Sequence, residues 1–386
     1  MFLKISYHIG MTSLNKPLKE IISRYFFTYW RTNNYKFPSF LRHNILKNVN
    51  AFLECGDPDI GFTSFICLKC KTIHKTPFSC KLRFCSSCGK IYAEKWANNV
   101  SDNLIDCHHR HAVFSLPKGW IRIFFFKNRQ LLKKLAEASY LALKYSFKKL
   151  GIIHFGAIAT IHTFSRKIEW NPHIHCLVTF GGMTKNSQWK NINNLPWQVL
   201  RRSWQKCALD IIAEYAKINN LPHLKNKISL SYKRYPKGFF VNAESRVGNS
   251  KNIAKYLGRY LARPAIAEYR IISFNDKIVK FWFKETDSNR RKHLTLTMDI
   301  FLGRILSHIP PKNFKMVRRF GLYSRRSKNK IPRKKKLFKT KPSWSERFFK
   351  AFGINPLICR KCSSKLHLLE IFHVKYGTIQ YNDYSP

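Results

Sequence analysis

Apolar residues at helical spacing open the chain. Ile21, Ile22, Phe26 and Phe27 predict a helical, basic stretch within residues 1–50. Cysteines crowd the next forty residues, and over 91–110 a helical pattern returns with Tyr92 and Trp96 one turn apart. His-Ala-Val-Phe-Ser-Leu-Pro (111–117) reads as a strand stopped by Pro117, and 121–149 as a helix. Strands are expected around 154–163 and 173–180, joined by the turn-like Ser-Arg-Lys-Ile-Glu-Trp-Asn-Pro, with Gly181-Gly182 ending the second. A helix over 196–217 and a strand over 239–245 follow. Residues 251–262 read as a helix with Ser250 as its cap and Pro264 just beyond its end. Short strands around 270–283 and 293–297 and a helix near 298–308 complete the globular part, and no tandem repeat is present.

Charge changes this picture most. The 386 residues carry 71 Lys+Arg against 20 Asp+Glu, a formal net charge of +51. A chain of that sign repels itself unless a polyanion is near, and each phosphate it neutralises releases counterions, so nucleic acid is the expected partner. A ribosomal-type protein or a binder of anionic membranes is the blander reading of the same charge. Hydrophobic residues make up 45% and aromatics 15%, enough for packed cores rather than disorder. Residues 325–341 hold ten basic residues and no acid, as a linker or a DNA-contacting arm would. The first ten residues lack the sustained apolar core of a secretory signal, and no run approaches the roughly 20 apolar residues that span a bilayer, so no membrane association is expected.

Of eleven cysteines, five lie in 67–88. Reducing compartments favour metal over disulfide for such clusters. Cys67-x2-Cys70 and Cys85-x2-Cys88 can each bite one ion from a tight turn, and together they predict a closed four-thiolate structural Zn2+ site. Cys80 and His74 lie between the pairs and could substitute for a ligand, and Cys55 could join a second site, but ordinary burial or exposure is the preferred reading of these three. Cys359-x2-Cys362 supplies only two ligands and needs partners from elsewhere, His367 among the candidates. Cys107, Cys176 and Cys207 read as core or idle thiols.

The other chemistry lies downstream. In the predicted strand around Asn171-Pro172-His173-Ile174-His175, alternation puts His173 and His175 on one face. A hairpin centred between Lys167 and Ile168 sets His162 opposite His173 on that face. Three neutral imidazoles with open positions suit Mg2+ or Mn2+ in phosphate chemistry, and Zn2+ as well. A lone His-x-His, however, is also a common surface pattern. Tyr256 and Tyr260 stand four apart on the predicted helix beside Arg259, with Lys255 and Arg263 adjacent. A tyrosine oxygen can attack a phosphodiester and store its bond energy as phosphotyrosine, and a neighbouring cation stabilises the phosphate charge. On an amphipathic helix the same spacing is more often packing.

These segments, in order, resemble the two-tyrosine HUH transposases of the insertion sequence 91 family. The resemblance runs through Cys-Gly-Asp-Pro-Asp to Cys-Gly-Lys (55–90), His-Arg-His-Ala-Val-Phe-Ser-Leu-Pro-Lys (109–118) and Gly156 through Gly182. It continues in Lys-Tyr-Leu-Gly-Arg-Tyr-Leu-Ala-Arg-Pro-Ala-Ile (255–266) and in the block from Phe301 to Ser324. It covers residues 51–325 well and the first 50 less distinctly, and the final Cys-x2-Cys also fits. It implies an α+β fold, an HUH-nuclease-like antiparallel sheet with flanking helices preceded by a small zinc-binding module. It further implies His173 and His175 as metal ligands, a position at His162 that is often histidine, and Tyr256 and Tyr260 as nucleophiles. The expected divisions are a basic helical region (1–50), a zinc-binding module (51–105), a catalytic domain (106–324), a basic linker (325–345) and a small C-terminal Cys-x2-Cys segment (346–386). The implied activity is rolling-circle-like transposition through metal-dependent cleavage and transfer of single-stranded DNA at element ends and target, in the bacterial cytoplasm at the nucleoid. A plasmid replication initiator or relaxase, and a non-catalytic zinc-containing DNA-binding regulator, are the alternatives.

Overall fold

A computed structural model describes residues 8–9, 16–101, 104–243, 264–285, 288, 290–325, 343, 345–346, 348–349 and 353–380. The helix expected over 251–262, with Tyr256, Arg259 and Tyr260, lies outside the described residues, as does most of the basic linker. Two compact units are present: one of Met1–Lys95, Ala262–Ile309 and Phe338–Pro386, the other of Trp96–Leu261 and Pro310–Leu337. Among the described residues no helix is long and apolar enough to cross a membrane.

In the first unit the opening helix, Pro17–Asn33, starts on a proline whose missing N–H costs nothing in the first turn. It buries Leu18, Ile21, Ile22 and Phe26, whereas Phe27, on the other side, is half exposed. A second helix, Ser39–Leu53, follows. A three-stranded antiparallel sheet (Ile271–Phe274, Ile278–Lys284, Arg291–Thr297) leads into the helix Met298–Leu306, which packs on the opening helix. Gly303 permits that approach: a Cβ there would stand 2.9 Å from the Tyr29 hydroxyl. A five-stranded sheet runs in the order His8–Ile9, Ile73–Pro77, Gly61–Cys67, Leu366–His373, Gly377–Gln380. The C-terminal strand Leu366–His373 thus pairs antiparallel with Gly61–Cys67, Leu366 opposite Cys67.

The second unit is built on a five-stranded antiparallel sheet in the order Val317–Gly321, Gly156–Phe164, Trp170–Thr179, His109–Ser115, Val241–Ala243. Alternation gives each strand two faces. Phe114, Ile161, Ile174, Cys176 and Val178 point into a core shared with residues of the helices Trp120–Lys127, Leu132–Lys149 and Trp197–Ile218. Within that core the Phe114 ring meets Trp204 edge-on at 5.4 Å, and the Trp204 indole donates to the Ser115 carbonyl. Burial of each such large side chain contributes roughly 1.5–3 kcal/mol. The opposite face carries Ile158 and Leu177 in a smaller apolar cluster with Leu104, Ile105, Leu322 and Tyr323, and beside them a patch of histidines.

The single helix expected over 121–149 is broken: the Asn128 side-chain amide donates to the Phe124 carbonyl at 3.0 Å, and a short 3-10 turn, Arg129–Leu131, separates two α-helices. The strand Trp170–Thr179 stops before Gly181-Gly182, as expected, and pairing then resumes in a separate sheet. Gly181–Met183 forms a new hairpin with Trp189–Asn191, and Gly182 runs so close to His154 that a Cβ would sit 2.3 Å from its carbonyl oxygen.

Candidate metal centres

The histidine patch is a product of strand register. His162 lies directly opposite His173 in the hairpin, and His175 lies one pleat further along, opposite Thr160. The Ser165 hydroxyl organises the turn between these strands, accepting from the backbone N–H of Lys167 and of Glu169, both at 3.2 Å. One ligand nitrogen from each of His162, His173 and His175 falls within 4.8 Å of the others. His162 and His175 are buried. Burial lowers the His175 pKa well below its ordinary value, helped by His162 and His173, and lowers His173 to about 4. The His173 and His175 rings are therefore neutral at pH 7, as metal ligands must be.

Hydrogen bonding fixes which nitrogens face the centre. His173 Nδ1 lies 2.7 Å from the Asn171 carbonyl oxygen, which only accepts, so this nitrogen carries the proton and Nε2 offers a lone pair. That Nε2 stands 3.0 Å from His175 Nε2. Two nitrogens bound at right angles about 2.1 Å from one ion lie about 3 Å apart, so the pair has the bite of a metal site. For His175 to direct its own lone pair inward, its Nδ1–H must be donated outward. The acceptor is in place: His111 Nε2, 2.8 Å away, with the two rings parallel at 5.0 Å. His111 comes from the neighbouring strand His109–Ser115 and was missed in the sequence; the register with Trp170–Thr179, which sets His111 opposite Leu177, is what brings it there. Arg122 supplies a cation near enough to lower the His173 pKa, while its guanidinium donates to the Leu116 carbonyl at 2.8 and 3.0 Å.

The predicted four-cysteine set divides. Cys67 and Cys70 are not gathered with Cys85 and Cys88; each pair finds other partners. Cys85 and Cys88 join Cys55 and Cys80, with sulfur separations of 3.8 Å (Cys55–Cys85), 3.7 Å (Cys55–Cys88) and 3.6 Å (Cys80–Cys88). Four sulfurs about 2.3 Å from a zinc ion lie about 3.8 Å apart, so the donor set fits tetrahedral zinc. The Cys80 backbone N–H points at Cys55 Sγ from 3.3 Å, and the neighbouring thiols of Cys80, Cys85 and Cys88 pull the Cys55 pKa down. Cys67 and Cys70 instead meet Cys359 and Cys362. Cys176 and Cys207 are buried in the core of the second unit and Cys107 packs against its smaller apolar cluster, so none of the three joins a metal-ligating group among the described residues.

Comparison with known proteins matches the same two regions. Residues 21–116 match a family model described as a transposase zinc-binding domain, and residues 156–330 match one described as a putative transposase. The chain is 29% identical over 297 residues to the transposase for insertion sequence element IS801 of Pseudomonas savastanoi pv. phaseolicola, covering 74% of this chain and 72% of that one. It is 27% identical over 297 residues to the putative transposase y4qJ of Sinorhizobium fredii, covering 72% of this chain and 70% of that one. No solved structure matches.

Proposed function

Because the chain belongs to the insertion sequence 91 family of transposases, we propose that it cuts and rejoins single strands of DNA through 5′-phosphotyrosine intermediates in a rolling-circle-like transposition. The observation that carries this reading is the convergence of His162, His173 and His175 on one face of a rigid antiparallel sheet. These three residues would hold a divalent ion, Mg2+ or Mn2+, which when bound polarises the scissile phosphate. The Asn171 carbonyl and His111 orient two of the three rings. Tyr256 attacks the phosphorus, its oxygen replacing the 3′ oxygen of the neighbouring nucleotide, which leaves as a free hydroxyl. Arg259 stabilises the charge on the phosphate during that displacement, and Tyr260 performs the complementary cut or strand exchange. Cys55, Cys80, Cys85 and Cys88, all within the matched zinc-binding segment, hold a structural zinc ion. The +51 charge draws in the DNA backbone.

The test mixes protein, Mn2+ and single-stranded DNA from the element's ends and looks for a covalent adduct that survives SDS. Wild type forms it, whereas Tyr256→Phe binds the same DNA without forming it. An adduct in Tyr256→Phe makes Tyr260 the first nucleophile. No adduct in wild type leaves the regulator reading, and an adduct formed only with a plasmid origin leaves the initiator reading.

A further inference from the structure

The cysteines left over by that reading make a second centre. We propose that Cys67, Cys70, Cys359 and Cys362 bind a second zinc ion, one that ties the N-terminal zinc-binding region to the C-terminal end of the chain. Across the cluster, Cys67 Sγ lies 3.4 Å from Cys362 Sγ, and Cys70 Sγ lies 3.5 Å from Cys359 Sγ. The separations are close to the roughly 3.8 Å edge of a zinc–thiolate tetrahedron.

Backbone geometry points to a metal independently of the sulfurs, because the two Cys-x2-Cys turns are built alike. In one, the N–H of Lys71 donates to the Cys67 carbonyl (2.7 Å) and the N–H of Cys67 to the Thr72 carbonyl (3.0 Å). In the other, the N–H of Ser363 donates to the Cys359 carbonyl (2.9 Å) and the N–H of Cys359 to the Ser364 carbonyl (2.8 Å). The residue after each second cysteine takes the left-handed conformation, Lys71 at φ 59° and Ser363 at φ 58°. Two copies of one strained turn, 292 positions apart from Cys67 to Cys359, present their thiols to each other. A strained turn persists when something over-determines it, and two ligands to a shared ion do so.

The surroundings suit a closed structural site. Cys67 and Cys359 are buried and pack with Phe65 and Leu366. Buried His74 places Nε2 3.4 Å from Cys359 Sγ, where an N–H would stabilise thiolate charge. Leu366 pairs with Cys67 in the sheet, so the ion would sit at the end of the ladder that adds Leu366–His373 and Gly377–Gln380 to the N-terminal strands. Zinc binding of this kind releases folding free energy that unpaired chain segments lack. The N-terminal sheet therefore reaches its full set of strands only when the C-terminal segment has been made and metallated.

Zinc content of the purified full-length protein, measured by mass spectrometry of the metal after removal of loose ions, tests this directly. Two zinc ions per chain are expected. Cys359→Ser/Cys362→Ser should hold one, and adding Cys67→Ser/Cys70→Ser to it should still leave one, because all four serve the same ion. Cys362→His, which keeps a zinc ligand, should hold two and guards against loss of fold in the serine variants. One zinc in wild type overturns the proposal. So do two zinc ions in Cys359→Ser/Cys362→Ser, fewer than two in Cys362→His, or disulfide-linked peptides joining Cys67 to Cys362 or Cys70 to Cys359. None of these outcomes bears on tyrosine chemistry, which the adduct assay reads separately.

Discussion

The histidine face and the cysteine clusters both gather metal-ligating side chains into small volumes, yet they are constructed in opposite ways. His162, His173 and His175 stand on adjacent strands of one hairpin, held by ladder hydrogen bonds and by a helix-backed core. Their positions are set before any ion arrives. The thiols of Cys55 and Cys80, or of Cys67 and Cys359, come from turns and segment ends far apart in the chain. The sheet brings Cys359 and Cys362 to Cys67 and Cys70, and a shared ion would fix each set of four thiols as a unit. A catalytic site needs the first arrangement, because its ion must accept and release phosphate without the protein reorganising. A structural site uses the second, because there the ion is part of the fold.

Removing metal should split the two regions most sharply. Structural zinc in a thiolate site contributes about 10–16 kcal/mol of apparent binding free energy at pH 7. Prolonged treatment with a strong zinc chelator should therefore unfold the cysteine-bearing segments, seen as rapid proteolysis around residues 55–88 and 357–373. Brief treatment with a weaker chelator should strip only the histidine centre. That should abolish adduct formation while costing about 3 kcal/mol of stability or less, the linkage expected at metal concentrations up to 100 times the dissociation constant. Equal proteolytic sensitivity after both treatments would erase the distinction.

Acid sharpens the comparison on the histidine side. His109, buried on the same sheet face and in contact with the Tyr323 hydroxyl, has its pKa lowered to about 4, chiefly by burial. A folded pKa below the unfolded value of about 6.5 means that the unfolded chain takes up the proton first as pH falls. The contribution is complete above pH 6.5 and is lost progressively down to pH 4. A shift of that size corresponds to roughly 3 kcal/mol. Urea unfolding of the metal-stripped protein should lose stability through this window. His109→Gln, which cannot charge, should show a shallower slope than wild type, and parallel slopes would remove His109 as a cause.

How much of this could be read in the sequence follows from the range of the interactions. The register of a hairpin centred between Lys167 and Ile168 sets His162 against His173 without any knowledge of the remaining fold, although the strands reach that register only through a one-residue irregularity beyond the turn-closing pair Phe164 and Trp170, which no local pattern marks. Nothing local announces the partner of Cys67: the nearer pair, Cys85-x2-Cys88, has the better spacing, but the sheet puts Leu366 beside Cys67 and brings in Cys359 and Cys362 instead. The strand Val317–Gly321 escaped notice because it carries two arginines; it is an edge strand, and Arg318 pairs with Glu137 at 3.1 Å. The strand Gly61–Cys67 is buried at positions on both faces, so no polar–apolar alternation marks it.

The smallest expected effect tests the preorganisation of the histidine face at its least direct member. His111 lies behind the three-histidine face; as an acceptor for His175 Nδ1 it would select the tautomer whose Nε2 lone pair faces His173. Loss of such an outer partner typically costs 10–100-fold in metal affinity or activity. In His111→Ala the Mn2+ concentration needed for half-maximal adduct formation should rise by about that factor, while the rate at saturating Mn2+ returns close to wild type. His111→Gln, which retains an acceptor, should recover part of the lost affinity. A merely structural role would lower the yield at every metal concentration and would not be rescued by more Mn2+. An unchanged Mn2+ requirement in His111→Ala would mean that the strand alone orients His175, leaving the hairpin and its core as the whole source of the site's rigidity.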